Sequence, residues 1–367
     1  MQDFLIVGGG VIGMMTALQL GDAGHTVTLI ERGVCGREAS WAGGGIVSPL
    51  YPWRYSRPIS ALSSWSEGRY PELAGRLLEE TGIDPEFRQK GLLYLRVDDV
   101  GDALAWAREV AKPLSRVDAR TLYAKAPNAA PGFDSALWMP TLGSIRNPRL
   151  GKALRARLAT MPGVECLEGR EVRGLLREGE RVIGVDTAGG PVLGGQTVVC
   201  AGAWSRSLLE SVGVALPIRP VRGQMILFRT PPGLVERVIL KDGRYVIPRG
   251  DGRVLAGSTL EEVGFDKRTT REARDSLYAS ALSIVPGLAE CEVEHHWAGL
   301  RPGSPDGVPM IGAVPGLEGL HVNAGHYRNG LVLAPASTRL LVDQLIGCEP
   351  IVDPLPYQRA LAGSSPI

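Results

Sequence analysis

The sequence predicts an α/β fold in which a domain built on a parallel sheet is interleaved with a second, α+β domain whose sheet is mainly antiparallel. Three observations lead there. The chain opens with a short apolar strand, a glycine-rich turn and a helix, the beginning of a βαβ unit. Pieces of the same character return near residue 200 and again after residue 320. Between them run longer strand-like stretches bounded by turn residues, which need a sheet of their own.

Taken in order, Phe4 to Val7 is an apolar run, GGGVIG a turn, and MMTALQLGDAG a helix whose Ala17, Leu18 and Leu20 suit packing on a sheet. TVTLIER follows as a second strand, and parallel strands joined in this way share a sheet. Ser66 to Thr81 reads as one helix, with Leu73, Leu77 and Leu78 facing a core. KGLLYLRV is a strand and GDALAWAREVAKPL a further helix. From Val164 to Trp204 the runs GVECLEG, EVRGLLREGERVIGVDT and TVVCAGAW read as a small meander that returns to the main sheet. RPVRGQMILF, RYVIPRGDGRVLAGST and CEVEHHWAGLRP predict the second sheet, with a helix around Arg271 to Ile284. The stretch GLHVNAGHYRNGLVLAPASTRLLVDQLIG closes as strand, turn and helix.

At 367 residues the chain is long enough for about two domains. Hydrophobic residues at 44% and charged residues at 22% fit a soluble globular protein. A net charge of +1 without a basic block gives no pull toward nucleic acid or an anionic membrane, so a small metabolite is the expected partner. The five cysteines are odd in number and lack metal-ligand or redox spacing, which reads as reduced thiols in a cytoplasmic protein. MQDFLIVGGG has no basic leader or cleavage site, and no run approaches the roughly 18 apolar residues of a spanning helix. Neither export nor membrane insertion is expected.

Gly8, Gly10 and Gly13 form G-x-G-x-x-G between strand and helix, and Glu31 stands 18 positions beyond the last of them. The first glycine permits the tight turn, the second lets backbone approach a pyrophosphate, and the third lets helix and strand pack closely. The helix start offers free amides and about half a positive charge to the phosphates. Glu31 would accept from a ribose hydroxyl and repel a 2′-phosphate. A second glycine cluster, REASWAGGGIVSP, follows directly. A nicotinamide cofactor has no evident need of it, whereas a flat isoalloxazine ring lying on backbone does, which points to FAD.

FLIVGGGVIGMMTALQL, IERG, EASWAGGGI, TVVCAGAWS, WAGLRPGSPDGVPMIG and AGHYRNGLVLAP together resemble the motifs of the D-amino-acid oxidase-like FAD-dependent oxidoreductase family. The likeness spans about residues 4 to 346. It implies a Rossmann-like FAD-binding domain at 1–80, 145–215 and 300–367, and a substrate domain at 81–144 and 216–299. Carried over by position, it puts Val11, Ile12, Glu31 and Arg32 at the adenosine diphosphate and the backbone of Val172 at the adenine. Ala39, Ser40, Gly44, Gly45 and Ile46 would flank the flavin, and Gly202 belongs to the same cofactor-binding set. Gly325, His326, Tyr327, Arg328, Asn329, Gly330 and Leu331 would wrap the pyrimidine end of the ring. A helix beginning near Asn329 would aim its positive end at the flavin's carbonyl edge.

In the same likeness Arg301 holds the substrate carboxylate, for which a guanidinium fork is well shaped. Tyr245 assists it, and Arg328 is a further active-site arginine acting through backbone or side chain. Leu260 stands where some members carry methionine, which leaves pocket size open.

His295, His296 and His326 lack spaced acidic partners, so no metal site is expected, and the family chemistry needs no protein base. The implied reaction of such an amino-acid oxidase is oxidative deamination of glycine, sarcosine or other small amines and D-amino acids. Hydride passes to flavin N5, the imine hydrolyses to oxo acid and ammonia, and O2 becomes H2O2, with a role in thiamine (thiazole) biosynthesis. A D-amino-acid dehydrogenase passing electrons to a quinone, a sarcosine oxidase, a tRNA-modifying flavoprotein module and a redox sensor are the alternatives. No cysteine lies between Cys291 and Cys348, so noncovalent FAD is expected. RGD at 249–251 reads as a hairpin turn because Asp-Gly follows the arginine. The family likeness also implies a homo-oligomer.

Overall fold

The computed structural model describes residues 2–362, so Met1 and the end of the last expected FAD-binding stretch, 363–367, lie outside it. Two eight-stranded sheets hold most of the strands of the described residues. In the first, β1 (Gln2–Val7) lies parallel between β2 (Val27–Ile30) and the strand Val192–Val199, with Phe4 opposite both Val27 and Gln196. Leu320–Ala324 pairs in parallel beyond Val192–Val199, so both late returns to this sheet are found. Helix α1 (Val11–Asp22) is buried on nearly every side because it lies between the sheet and the long helix Gly330–Ile346.

Three expectations are corrected. Val164–Leu167 is not part of the meander: it pairs in parallel with β2, reached through the helix Asn147–Leu158 that periodicity did not single out. The meander proper is the antiparallel run Val172–Glu178, Arg181–Thr187 and the start of Val192–Val199. TVVCAGAW is a strand only to Val199, after which Gly202–Trp204 forms a 3-10 turn. The single helix from Ser66 to Thr81 is two, Arg57–Glu67 and Tyr70–Thr81. Gly68 ends the first, and Pro71, which has no amide to donate, fits the first turn of the second.

The second sheet runs, in spatial order, Glu292–Gly303, Arg219–Arg229, Val254–Gly257, Arg244–Pro248, Val238–Lys241, Leu92–Leu95, Ser135–Met139 and Ser115–Asp118. All neighbours are antiparallel except Val238–Lys241 with Leu92–Leu95. Asp251 and Gly252 make the turn between two of these strands, as the Asp-Gly signal suggests. Residue 300, an expected boundary, falls inside the strand Glu292–Gly303. No helix among the described residues is long and apolar enough to cross a membrane.

Pro335 lies inside the helix Gly330–Ile346 and cannot donate to the Leu331 carbonyl one turn back. The buried Tyr70 hydroxyl donates to that carbonyl instead. The next amide, Ala336 N–H, donates to Ser66 Oγ at 3.0 Å. The helix head is thereby pinned from the side.

Candidate functional site

Between the two sheets lies an elongated cavity, open to solvent, whose lining runs from the glycine turn at Gly8 and Gly10 past Gly43 to Ile46 and on to the turn Tyr327 to Leu331.

At one end stands the glycine turn. Gly8 has φ +109°, and a Cβ there would come within 2.5 Å of the Cys200 carbonyl oxygen. A Cβ on Gly13 would overlap the Gly8 carbonyl. These two glycines are demanded by the protein's own backbone. Gly10 differs, because its Cβ would meet only Ser40 Oγ, at 3.3 Å, and otherwise open into the cavity. It caps α1 without a side-chain hydrogen bond, leaving the helix's positive end toward that space.

Glu31 follows directly on β2, with Oε2 accepting from Gly9 N–H at 2.7 Å and Oε1 from Gly33 N–H at 2.9 Å, so the loop itself orients its carboxylate. Arg32 lies over the Trp204 ring at 3.7 Å, and Gly202 and Val172 line the same end. Cradle, helix end and acid together fit a pyrophosphate and an unphosphorylated ribose. FAD meets that requirement.

The second glycine cluster forms the cavity's middle wall. Gly45 has φ +82°, and its Cβ would overlap the Ile145 carbonyl. Arg249 sits behind it, donating from Nη2 to the Gly44 carbonyl at 2.8 Å and from Nη1 to the Ile145 carbonyl at 3.1 Å. Burial pushes its pKa down to about 10. Asn147 Nδ2 donates to the Ser40 carbonyl at 2.8 Å, while Ser40 Oγ accepts from Val11 N–H at 2.8 Å. Ser40 thus stands at the head of α1. Ala39, Gly44 and Ile46 line the wall beside it.

Arg301 and Tyr245 face each other across two strands of the second sheet. The Arg301 guanidinium lies over Gly223 of the neighbouring strand, where any Cβ would overlap it. Tyr245 leans over Gly257, whose Cβ would come within 3.1 Å of the tyrosine oxygen. Two glycines therefore make a floor on which both polar ends converge. Arg301 has no carboxylate partner among the described residues: Nη2 donates to Ser258 Oγ at 2.8 Å and Nη1 to the Thr259 carbonyl at 3.1 Å. Burial, with Arg328 acting in the same direction and Tyr245 against it, holds its pKa below the ordinary arginine value. Arg328 itself is exposed on the cavity wall and makes no ion pair among the described residues.

At the far end Tyr327 to Leu331 line the cavity, with Asn329 at the cap of the long helix. Gly325 and Gly13 are the two expected site residues that stand behind the wall rather than on it. Gly325 supports the turn, its carbonyl accepting from Ser304 Oγ at 2.7 Å. Ser337 Oγ donates to Asn323 Oδ1 at 2.7 Å, so its contact with His326 Nε2, also 2.7 Å, requires the histidine to donate. Burial pushes the His326 pKa down to about 3, so the ring is neutral. His295 and His296 lie off the cavity wall. Leu260 is 48% exposed and also lies off the wall, so it does not set the pocket's size.

Sequence reading missed Asn147, Arg249, Trp204 and Ser258. Asn147 precedes a proline at a helix start, and Arg249 stood inside a hairpin signal. Neither context suggests a bond to a distant loop.

The sequence model of a family described as FAD dependent oxidoreductase matches residues 3–344. The chain is 54% identical to the glycine oxidase of Pseudomonas aeruginosa over 356 residues, 97% of this chain and 98% of that one. It is 51% identical to the glycine oxidase of Pseudomonas putida over the same shares. The crystal structure of glycine oxidase from Geobacillus kaustophilus superposes with a TM-score of 0.91 at 32% identity, covering 97% of each chain.

Proposed function

This chain belongs to the FAD dependent oxidoreductase family, and from that premise we propose that it oxidatively deaminates glycine and other small amines or D-amino acids. The observation that carries the reading is Arg301, a charged fork without a carboxylate partner, set over a glycine floor and facing Tyr245. Leaving such a group uncompensated in a buried place is costly unless an anion arrives to pair with it. A small amino acid brings that anion.

Bound FAD supplies a two-electron acceptor. The chain's own residues supply position. Gly10, the head of α1 and Glu31 hold the dinucleotide end, and the wall from Ala39 to Ile46 receives the ring. Arg301 uses its remaining donors on the substrate carboxylate, and the Tyr245 hydroxyl adds another bond. Orientation of this kind can contribute much of a rate enhancement without an acid or base. The acids on the cavity wall, Glu31 and Glu38, both stand at its nucleotide end. His326 points its donor at Ser337. The substrate amine therefore gives up its proton to water at the open mouth. Oxygen as final acceptor, a cytoplasmic homo-oligomer and a part in supplying the thiazole of thiamine belong to the same reading.

The test is the visible spectrum of the purified protein, followed without oxygen as glycine is added. Bleaching of the flavin bands, reversed on admitting air with peroxide formed, is expected. Bands that persist at saturating glycine would refute glycine as a substrate.

A further inference from the structure

The segment that follows the strand Val254–Gly257 holds two of the five guanidinium donors of Arg301, through Ser258 Oγ and the Thr259 carbonyl. Thr259 is in turn held from both sides. Its Oγ1 accepts from Gln224 N–H at 2.9 Å and donates to the Glu261 carboxylate. Glu261 is the centre of this arrangement: it accepts from Arg222 Nη2 at 2.5 Å, Arg222 Nε at 3.1 Å and Gln224 Nε2 at 2.9 Å. Backbone bonds of 2.9 and 3.0 Å run both ways between Arg222 and Glu261. Arg222 is only 4% exposed, and its Nη1 also donates to the Arg268 carbonyl at 2.9 Å. Of this set, Ser258 and Arg301 line the cavity, whereas Thr259, Glu261, Gln224 and Arg222 stand behind it.

The charges are divided in a telling way. Glu261 is neutralised by Arg222, so it orients the clamp without competing for it. Arg301 meets only uncharged oxygens, which fix the direction of its fork and leave its charge available. A free arginine side chain carries about 2 kcal/mol of rotamer entropy, and a bidentate clamp gains from having that freedom removed beforehand.

We propose that Glu261 is a positioning residue for carboxylate recognition: acting through Thr259, it sets the orientation of Arg301 and so governs substrate affinity without touching substrate. This rests on the reading of Arg301 as the substrate clamp. Against burial, which would raise it, hydrogen bonds from Thr259, Arg222 and Gln224 hold the Glu261 pKa below the ordinary glutamate value, so the carboxylate is charged in the working range.

The experiment uses the FAD-loaded protein and acetate, a carboxylate without an amine, whose binding is read from the flavin's visible band. Steady-state glycine oxidation is measured beside it. Glu261→Gln and Thr259→Val should each raise the acetate Kd and the glycine KM roughly tenfold, the worth of one such hydrogen bond, with kcat changed by less than about threefold. Thr259→Ser, which keeps the hydroxyl, should stay near the unsubstituted protein. A residue of merely structural role would lower Tm without this split between KM and kcat.

If Glu261→Gln does not fold with FAD, the Thr259→Val and Thr259→Ser pair decides the matter with Glu261 intact. An acetate Kd unchanged within about twofold in Thr259→Val overturns the inference alone. An unsubstituted protein that ignores acetate altogether overturns the reading of Arg301 and this inference with it.

Discussion

The two ends of the cavity are built by opposite means. At the nucleotide end, a few consecutive residues shape backbone: Gly8, Gly10 and Gly13 act within one turn, and Glu31 folds back onto Gly9. At the substrate end, one side chain from each of two strands, Arg301 and Tyr245, meets the other over the floor that Gly223 and Gly257 make on the two strands between them. The first is a local motif. The second exists only once the sheet has its register. Damage to the first should therefore appear as lost cofactor or lost fold, and damage to the second as lost affinity for substrate.

The largest effect expected is at Gly13. Gly13→Ala pushes a methyl group into the Gly8 carbonyl, so the protein should fail to accumulate folded, as read by circular dichroism of the soluble fraction. Gly10→Ala has nothing but Ser40 Oγ to meet, so it should fold with nearly unchanged secondary structure yet purify without the flavin bands. A Gly10→Ala protein that keeps full FAD would break the distinction between glycines required by the chain and glycines required by its occupant.

Next comes Arg301→Lys. Losing the planar fork forfeits one or two charge-assisted bonds of about 1.5 to 3 kcal/mol each, which predicts a glycine KM raised roughly 100-fold. FAD content should be normal. Tyr245→Phe removes one hydroxyl from the same floor and should raise KM by roughly tenfold, again with the flavin bands intact. Flavin loss in either variant would show that the two ends are not separable.

The smallest effect concerns pH. His326 has a folded pKa of about 3 against an unfolded value of 6.5, so the unfolded chain binds the proton first. Its contribution to stability is complete above pH 6.5 and is lost as pH falls toward 3. Between pH 6 and 5 it should amount to about 1 kcal/mol. Urea unfolding at the two values should show that loss in the native chain and a shallower one in His326→Gln. Equal slopes would mean that the histidine is protonated in the fold.

The contrast between the ends also explains what could be read from sequence. G-x-G-x-x-G and Glu31 are legible because neighbours in the chain are neighbours in the turn. Arg301, Tyr245 and the Gly325 to Leu331 turn came through resemblance to a family, since no local pattern distinguishes a clamp arginine from a surface one. Gly223 and Gly257 carried no signal, because their purpose depends on which residue the sheet places beside them. Arg249 and Asn147 were missed for the same reason, each bonding to a carbonyl of a segment remote in sequence. The helix expected from Ser66 to Thr81 broke where Gly68 and Pro71 gave a signal that the leucine spacing had overshadowed.

The glycine floor has one more consequence. Because Arg301 and Tyr245 recline on bare peptide units of interior strands, the base of the substrate compartment takes its depth from the sheet itself. Such a compartment is hard to enlarge, because adding even a methyl group at Gly223 displaces the clamp. Enzymes of this build should change their substrate range by replacing what stands on the walls, while the base stays fixed across every variant that still recognises a carboxylate.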